Sequence, residues 1–193
     1  MHWGAPAPDF LRGLAEAQAE TAHTRKLPPV EKWNPPDCGD IDMRIAVDGT
    51  WFYLGTPIGR PALVRLFSTI LRREPDGRYV LVTPVEKVGL TVEDVPFVAV
   101  RVDAEGEGRD RRLRFLTNVG DEVVAGPEHP LRVAFRGTEP RPYVHVRGAL
   151  EARVSRAVFY ELVAMAEERA TASGRELGVW SDSVWFSLGS PDA

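Results

Sequence analysis

Residues 38–97 read CGDIDMRIAVDGTWFYLGTPIGRPALVRLFSTILRREPDGRYVLVTPVEKVGLTVEDVPF, and this stretch decides the fold class. Ile41, Met43, Ile45 and Val47 alternate with Asp42, Arg44 and Ala46, the period of a half-buried strand. Asp48-Gly49 is a strong hairpin signal, and Thr50–Gly55 returns as TWFYLG. From Arg60 to Arg73 the period changes to that of a helix. Leu63, Val64, Leu66, Phe67, Ile70 and Leu71 form one broad apolar stripe. Pro61 suits the first turn, Arg72-Arg73 complement the negative end of the helix dipole, and Pro75-Asp76-Gly77 carry turn chemistry. Strand-like runs follow at Tyr79–Thr83, Glu86–Val92 and Phe97–Asp103.

Working outward, residues 9–24 pattern as a first helix with Asp9 at its cap. LPPVEKWNPPD, residues 27–37, is too rich in proline for helix or central strand and reads as an extended linker that Val30 and Trp33 pin to the body. Residues 104–112, AEGEGRDRR, form either a hairpin tip or an interdomain joint. Strands are expected at Leu113–Thr117, Glu122–Ala125, Leu131–Arg136 and Tyr143–Gly148. A second long helix is expected over 153–172, with Gly174 as its stop, then strands at Leu177–Trp180 and Val184–Leu188. Short turns between strands predict mostly antiparallel sheets. The class is therefore α+β, each half a mostly antiparallel sheet packed by one long helix. The boundaries read as a helix and linker over 1–36, a first domain over 37–103 and a second over 104–193, with a boundary near Gly77 as the alternative.

Two internal matches are visible. A strand, a glycine and then an arginine opening a helix occur at Gly55–Arg60 and at Gly148–Arg153. Separately, Trp51–Pro57 (WFYLGTP) matches Trp185–Pro191 (WFSLGSP). The two imply different alignments, so only one can mark a duplication; the first repeats a whole strand–helix unit and is preferred.

The totals exclude several function classes. A chain of 193 residues, 44% of them hydrophobic, can bury a sizeable core without staples. One cysteine, Cys38, leaves no internal disulfide and reads as a turn residue or small buried contact rather than a nucleophile. A net charge of −4 gives no basic field for nucleic acid or an anionic membrane. No apolar run is long enough to span a bilayer, and the N-terminus lacks a secretion pattern, so the expectation is a soluble cytoplasmic protein. The four histidines are scattered without metal-ligand spacing, and no phosphate-binding glycine loop is present.

What folding does not obviously require is a polar set in LVTPVEK and the arginines around the helix starts. Thr83 offers a hydroxyl, Glu86 and Lys87 point to opposite faces of a strand, and Arg65 borders the helix stripe. Arg60 and Arg153 stand at expected helix starts, where a cation opposes the dipole and suggests an anionic partner. Arg147 lies just before Gly148. Each also has a structural reading as an ion pair or surface arginine. Trp51 and Trp180 are candidate apolar walls, though aromatic strand residues are mostly core.

The segments CGDIDMRIAVDGTWFYLGTPIGRPALVRLFSTILRRE, RYVLVTPVEKVGLTVEDVPFVA, PYVHVRGALEARVSRAVFYELV and LGVWSDSVWFSLG resemble the bacterial family catalogued as domain of unknown function 1285. The resemblance implies two domains related by duplication, with a C-terminal half loosely similar to pleckstrin-homology-like folds. It also implies a ligand site between them, with a nucleotide-based ligand and a role in signal transduction suggested for the family; it implies no catalytic residue. The leading expectation is thus a non-enzymatic ligand-binding regulatory module. Its ligand-binding residues would be Arg60, Arg65, Thr83, Glu86, Lys87, Arg147, Arg153, Trp51 and Trp180, holding an anionic small molecule without cofactor or metal. The alternatives are an enzyme acting on a phosphorylated or nucleotide substrate with Glu86 as base, and a scaffold that docks a protein partner or a second copy of the chain.

Overall fold

The computed structural model describes residues 27–172 and 174–190; the helix expected over 9–24 lies outside them. The chain divides into two compact units, one ending at Asp94 and the other beginning at Val95.

In the first unit β1 (Asp37–Ile45), β2 (Trp51–Tyr53) and β3 (Thr56–Pro57) form a meander. Helix α1 (Pro61–Thr69) follows, then a second meander of β4 (Leu71–Arg73), β5 (Tyr79–Val82) and β6 (Lys87–Val92). The sheet order is β3-β2-β1-β6-β5-β4. Only β1 and β6 run parallel. The alternation read from 41–47 is present, with Met43 and Ile45 buried. Gly49 takes φ 85° in the β1–β2 turn, where the Asp48 carboxylate accepts the Thr50 N–H at 2.9 Å.

Helix α1 is shorter than its stripe predicts. The Ser68 and Thr69 hydroxyls donate back to the Arg65 and Leu66 carbonyls at 2.6 and 2.7 Å, offering the last turn a competing bond. Leu71–Arg73 then pair with Tyr79–Leu81 as a strand. The apolar run continues through this change, so Ile70 and Leu71 are both buried, the second from a strand. Arg72 and Arg73 therefore belong to β4 and do not cap a helix. Trp51 is 1% exposed and stacks on Phe67 of α1, with ring centroids 6.3 Å apart.

The second unit contains β7 (Phe97–Glu105), β8 (Arg112–Thr117), β9 (Glu122–Val124), β10 (Leu131–Arg136), β11 (Glu139–Arg147) and β12 (Leu150–Val154). Their order is β10-β11-β12-β7-β8-β9, with β7 and β12 the parallel pair. Numbered within its own unit, each sheet has the order 3-2-1-6-5-4 with one parallel ladder between first and sixth strands. This repeated topology supports duplication. Neither sequence match marks it. Helix α1 falls between third and fourth strands, whereas α2 (Arg156–Ala164) follows the sixth. The Trp51 segment is a second strand; its counterpart, Trp185, lies in an added sheet. Residues 97–103, assigned from sequence to the end of the first domain, hydrogen-bond in the second sheet, and 104–112 form the β7–β8 hairpin tip.

Helix α2 spans nine residues instead of 153–172. Arg153 is in β12; Ser155 caps the helix by accepting the Val158 N–H at 3.4 Å. Glu167–Thr171 form β13, which pairs with β14 (Gly174–Ser181), and β14 with β15 (Val184–Gly189). Gly174 begins a strand instead of ending a helix. Asp182 and Ser183, both at positive φ, make the β14–β15 turn. This small sheet is fastened to the large one by Ser181, whose fully buried hydroxyl donates to the Ala125 carbonyl at 2.7 Å and accepts the Leu113 N–H at 2.9 Å. No helix among the described residues is long and apolar enough to cross a membrane.

Ser181→Ala leaves a buried N–H and a carbonyl without that partner, and is expected to destabilise the protein by about 1–3 kcal/mol. Urea unfolding should show a lower midpoint at an unchanged m-value; an unchanged midpoint would refute the fastening role.

Candidate functional site

The LVTPVEK segment turns sharply between β5 and β6. Thr83 is buried and closes that turn on itself: its hydroxyl donates to the Glu86 carbonyl at 3.1 Å and accepts the Glu86 N–H at 3.2 Å. The hydroxyl is thus used by the backbone. Of the two alternating side chains, Glu86 points inward, 7% exposed, and its Oε1 is buried without a hydrogen-bond partner. Lys87 reaches the other way, to Glu74 Oε2 at 3.3 Å.

Glu74 links two cations. Its Oε1 accepts Arg72 Nε at 2.7 Å, while Arg72 Nη1 donates to the Val30 and Trp33 carbonyls at 2.7 and 2.8 Å. The proline-rich linker is therefore pinned at Val30 and Trp33, through their backbone. Burial alone would raise the Glu74 carboxyl, but the Arg72 and Lys87 hydrogen bonds outweigh it and hold it below its usual range. Lys87 is accounted for as an ion-pair partner. Arg60, at the N-cap of α1, and Arg65, on its surface, are both exposed.

Over Gly89 in the first half of β6, the Arg78 guanidinium bridges Asp37 and Asp40 at 2.5 and 2.7 Å. Cys38 between them is exposed on a strand, neither in a turn nor buried. The Arg78 hydrogen bond, helped by the Gly39 N–H, lowers the Asp37 carboxyl from 3.8 to about 2.

In the second unit Arg147 is engaged by Asp121 and lies over the Phe97 ring at 5.0 Å. Trp180 sits between Arg109, 4.9 Å from its ring, and the edge of Trp185 at 5.3 Å. Trp51 is core, as above.

Arg153 is half-buried, its side chain has no hydrogen bond or ion pair among the described residues, and it lines a cleft of about 240 Å³. The cleft follows from strand lengths. The β11–β12 ladder begins at Tyr143–Arg153, so residues 139–141 of β11 run past the end of β12. The chain turns there into α2. Glu139, Pro140, Arg141 and Pro142 face Arg153 and Val154, and the first turns of α2 add Arg156, Phe159 and Tyr160. Arg141 Nε is buried without a hydrogen-bond partner among the described residues, and the Glu139 carboxylate is 3.9 Å from its Nη2. Arg156 Nε donates to the Tyr160 hydroxyl at 3.2 Å.

Of the nine sequence candidates, then, Thr83, Glu86 and Lys87 share one turn in the first unit, and Arg153 alone lines the cleft. Arg141 and Arg156 were missed. The alternation of EPRPY puts Arg141 on the same face as Tyr143, and hence as its cross-strand partner Arg153, but only once the register is known.

The fold and cleft define a two-unit α+β protein with a repeated six-stranded sheet and an arginine-lined site in its second unit. Family models agree with that division: the DUF1285 N-terminal domain, a domain of unknown function, matches residues 28–95, and the DUF1285 C-terminal domain matches 96–188. The crystal structure of a DUF1285 family protein from Silicibacter pomeroyi DSS-3 is 52% identical, with TM-score 0.83 over 93% of this chain and 96% of that one. One from Shewanella baltica OS155 is 28% identical, with TM-score 0.51 over 64% of this chain and 91% of that one. No curated protein matches the chain. The chain belongs to the DUF1285 family.

The Asp37 carboxyl sits lower in the folded protein than its ordinary 3.8, so its contribution to stability is complete above about pH 4 and is lost as pH falls toward 2. Asp37→Asn is expected to flatten that part of the profile. Urea midpoints of both proteins from pH 5 to 2 should converge; parallel curves would exclude the Asp37–Arg78 pair as the cause.

Proposed function

We propose that this protein is a ligand-binding regulatory module whose second unit holds the anionic group of a small molecule in the Arg153 cleft. The observation that carries this is a half-buried Arg153 whose side chain has no partner among the described residues, beside the buried Nε of Arg141, which has none among them either. A buried polar group without a partner is rare enough to call for an explanation, and guanidinium groups pair readily with carboxylate and phosphate oxygens. The volume favours a head group with the rest of the molecule outside, since sites that enclose whole ligands run to about 300–1,000 Å³. Proline and aromatic surfaces beside the arginines suit a flat apolar part. A nucleotide-based ligand and a role in bacterial signal transduction fit this chemistry. The pleckstrin-homology-like likeness that the family resemblance implies for the C-terminal half stays part of this reading; the second unit has six strands before its helix, one fewer than that fold.

The enzymatic reading has less support. Glu86, its candidate base, is buried in the other unit and does not line the cleft. A base must reach the proton it removes, directly or through one water.

The test is a calorimetric and thermal-shift screen with inorganic phosphate, pyrophosphate, adenosine monophosphate and simple carboxylates. A binder at a hundredfold its dissociation constant stabilises by about 2.7 kcal/mol. Arg153→Ala should keep the melting temperature of the free protein and lose that shift. If no anion binds at concentrations well above millimolar, the proposal fails.

A further inference from the structure

The cleft's charge count points to one class of anion. Arg141, Arg153 and Arg156 bring three positive charges from β11, β12 and α2, and Glu139 is the one carboxylate among the lining residues. Three cations less one anion leave a local excess of two. Glu139 offsets little of that, because its side chain is 71% exposed and stays 3.9 Å from Arg141, beyond hydrogen-bond distance. Elsewhere in the chain comparable arginines are matched within the protein: Arg78 has Asp37 and Asp40, Arg72 has Glu74, Arg147 has Asp121, and Arg132 has both oxygens of Glu151 at 2.7 and 2.6 Å. The cleft thus gathers, in one place, positive charge that the described residues do not match.

Geometry narrows the class further. The three guanidinium groups enter from three different elements, so their donors converge on a tetrahedral group more readily than on a flat carboxylate, which one planar fork can satisfy. Arg156 has committed only its Nε, to the Tyr160 hydroxyl.

We infer that the cleft selects a doubly charged oxyanion, the phosphate monoester of a small molecule, over singly charged carboxylates and phosphodiesters. This rests on the cleft being the ligand site proposed above. A phosphate monoester carries about −1.5 to −2 charges at pH 7, with a second pKa near 6, so it can match the excess of two. The charged or titratable groups facing the anion are Glu139 and Arg141 from β11, Arg153 from β12, and Arg156 and Tyr160 from α2.

The experiment is isothermal titration of the full chain with phenyl phosphate, benzoate, dimethyl phosphate and sulfate at pH 5 and 7.5. The expected result has phenyl phosphate at least tenfold tighter than benzoate or dimethyl phosphate at pH 7.5. It should weaken about tenfold at pH 5, where only about a tenth of it is dianionic. Sulfate keeps its charge over this range and should bind with an affinity that does not change, which separates titration of the ligand from titration of the protein. Arg153→Ala should abolish phenyl phosphate binding without lowering the melting temperature of the free protein. Equal binding of benzoate and phenyl phosphate with no pH dependence overturns the selectivity and leaves the anion-binding reading standing. Absence of binding by all four overturns both. Undiminished binding by Arg153→Ala places the anion elsewhere and overturns this assignment.

Discussion

Each sheet depends on one parallel ladder, β1 with β6 and β7 with β12. Every other pairing in the two large sheets is antiparallel and joins neighbours in the chain. The parallel ladder alone joins the first strand of a unit to its last, so neither half-sheet can complete its core without it. Loop closure over a whole unit precedes any gain from these contacts, which makes them the slow, non-local part of folding. The same constraint sets the position of the cleft. Because β12 runs parallel to β7 and antiparallel to β11, the end of β12 lies beside the beginning of β11. A short β12 therefore leaves residues 139–141 without a neighbour on that side, and the turn into α2 completes the walls.

The duplicated topology separates what the sheet needs from what one copy has added. In both units an arginine of the fourth strand lies over a tyrosine of the fifth, directly across the ladder: Arg73 over Tyr79 at 5.4 Å and Arg132 over Tyr143 at 4.3 Å. Such a pair covers a buried ring with a cation whose head stays near solvent. Recurrence at one topological position marks it as part of the common scaffold. It left no trace in the sequence matches, because the helix is inserted at different points of the two units and the spacing between strands differs.

Much of the fold was legible as strand alternation: Ile41–Val47, Tyr79–Thr83 and Leu113–Thr117 all fall in strands close to their expected bounds. The helices were legible in kind but not in length. Leu63 to Leu71 is one apolar run, yet its last member is buried from a strand. Hydrophobic period cannot mark that change when a helix and the next strand cover the same core, and the hydroxyls of Ser68 and Thr69 supply the local cue. The second helix was over-read for a similar reason: Val154 and Leu162 share a core, one from β12 and one from α2. The cleft was legible only at Arg153, flagged as a cation where a helix was expected to begin. The oddity was real but its cause was different. Arg153 ends a strand, and Arg156 is the residue in the first helical turn. Arg141 was unreadable without the β11–β12 register, since cross-strand neighbours leave no local signature.

The two copies also argue that Arg153 is not held by folding. The sixth strand of the first unit is KVGLTV, with no arginine, and it completes the same parallel ladder. In the second unit the sixth strand is LEARV, where Leu150, Ala152 and Val154 are buried and supply the core side, as alternation requires. Arg153 lies on the opposite face, where an uncharged residue would satisfy the sheet equally well. Keeping a half-buried guanidinium there without a carboxylate costs desolvation that no contact within the described residues returns. Glu151, two residues earlier on the same face, shows what the sheet does when it neutralises a charge: it binds Arg132 through both oxygens. The contrast between Glu151 and Arg153, neighbours on one face of one strand, is the physical reason to assign Arg153 to something other than the fold.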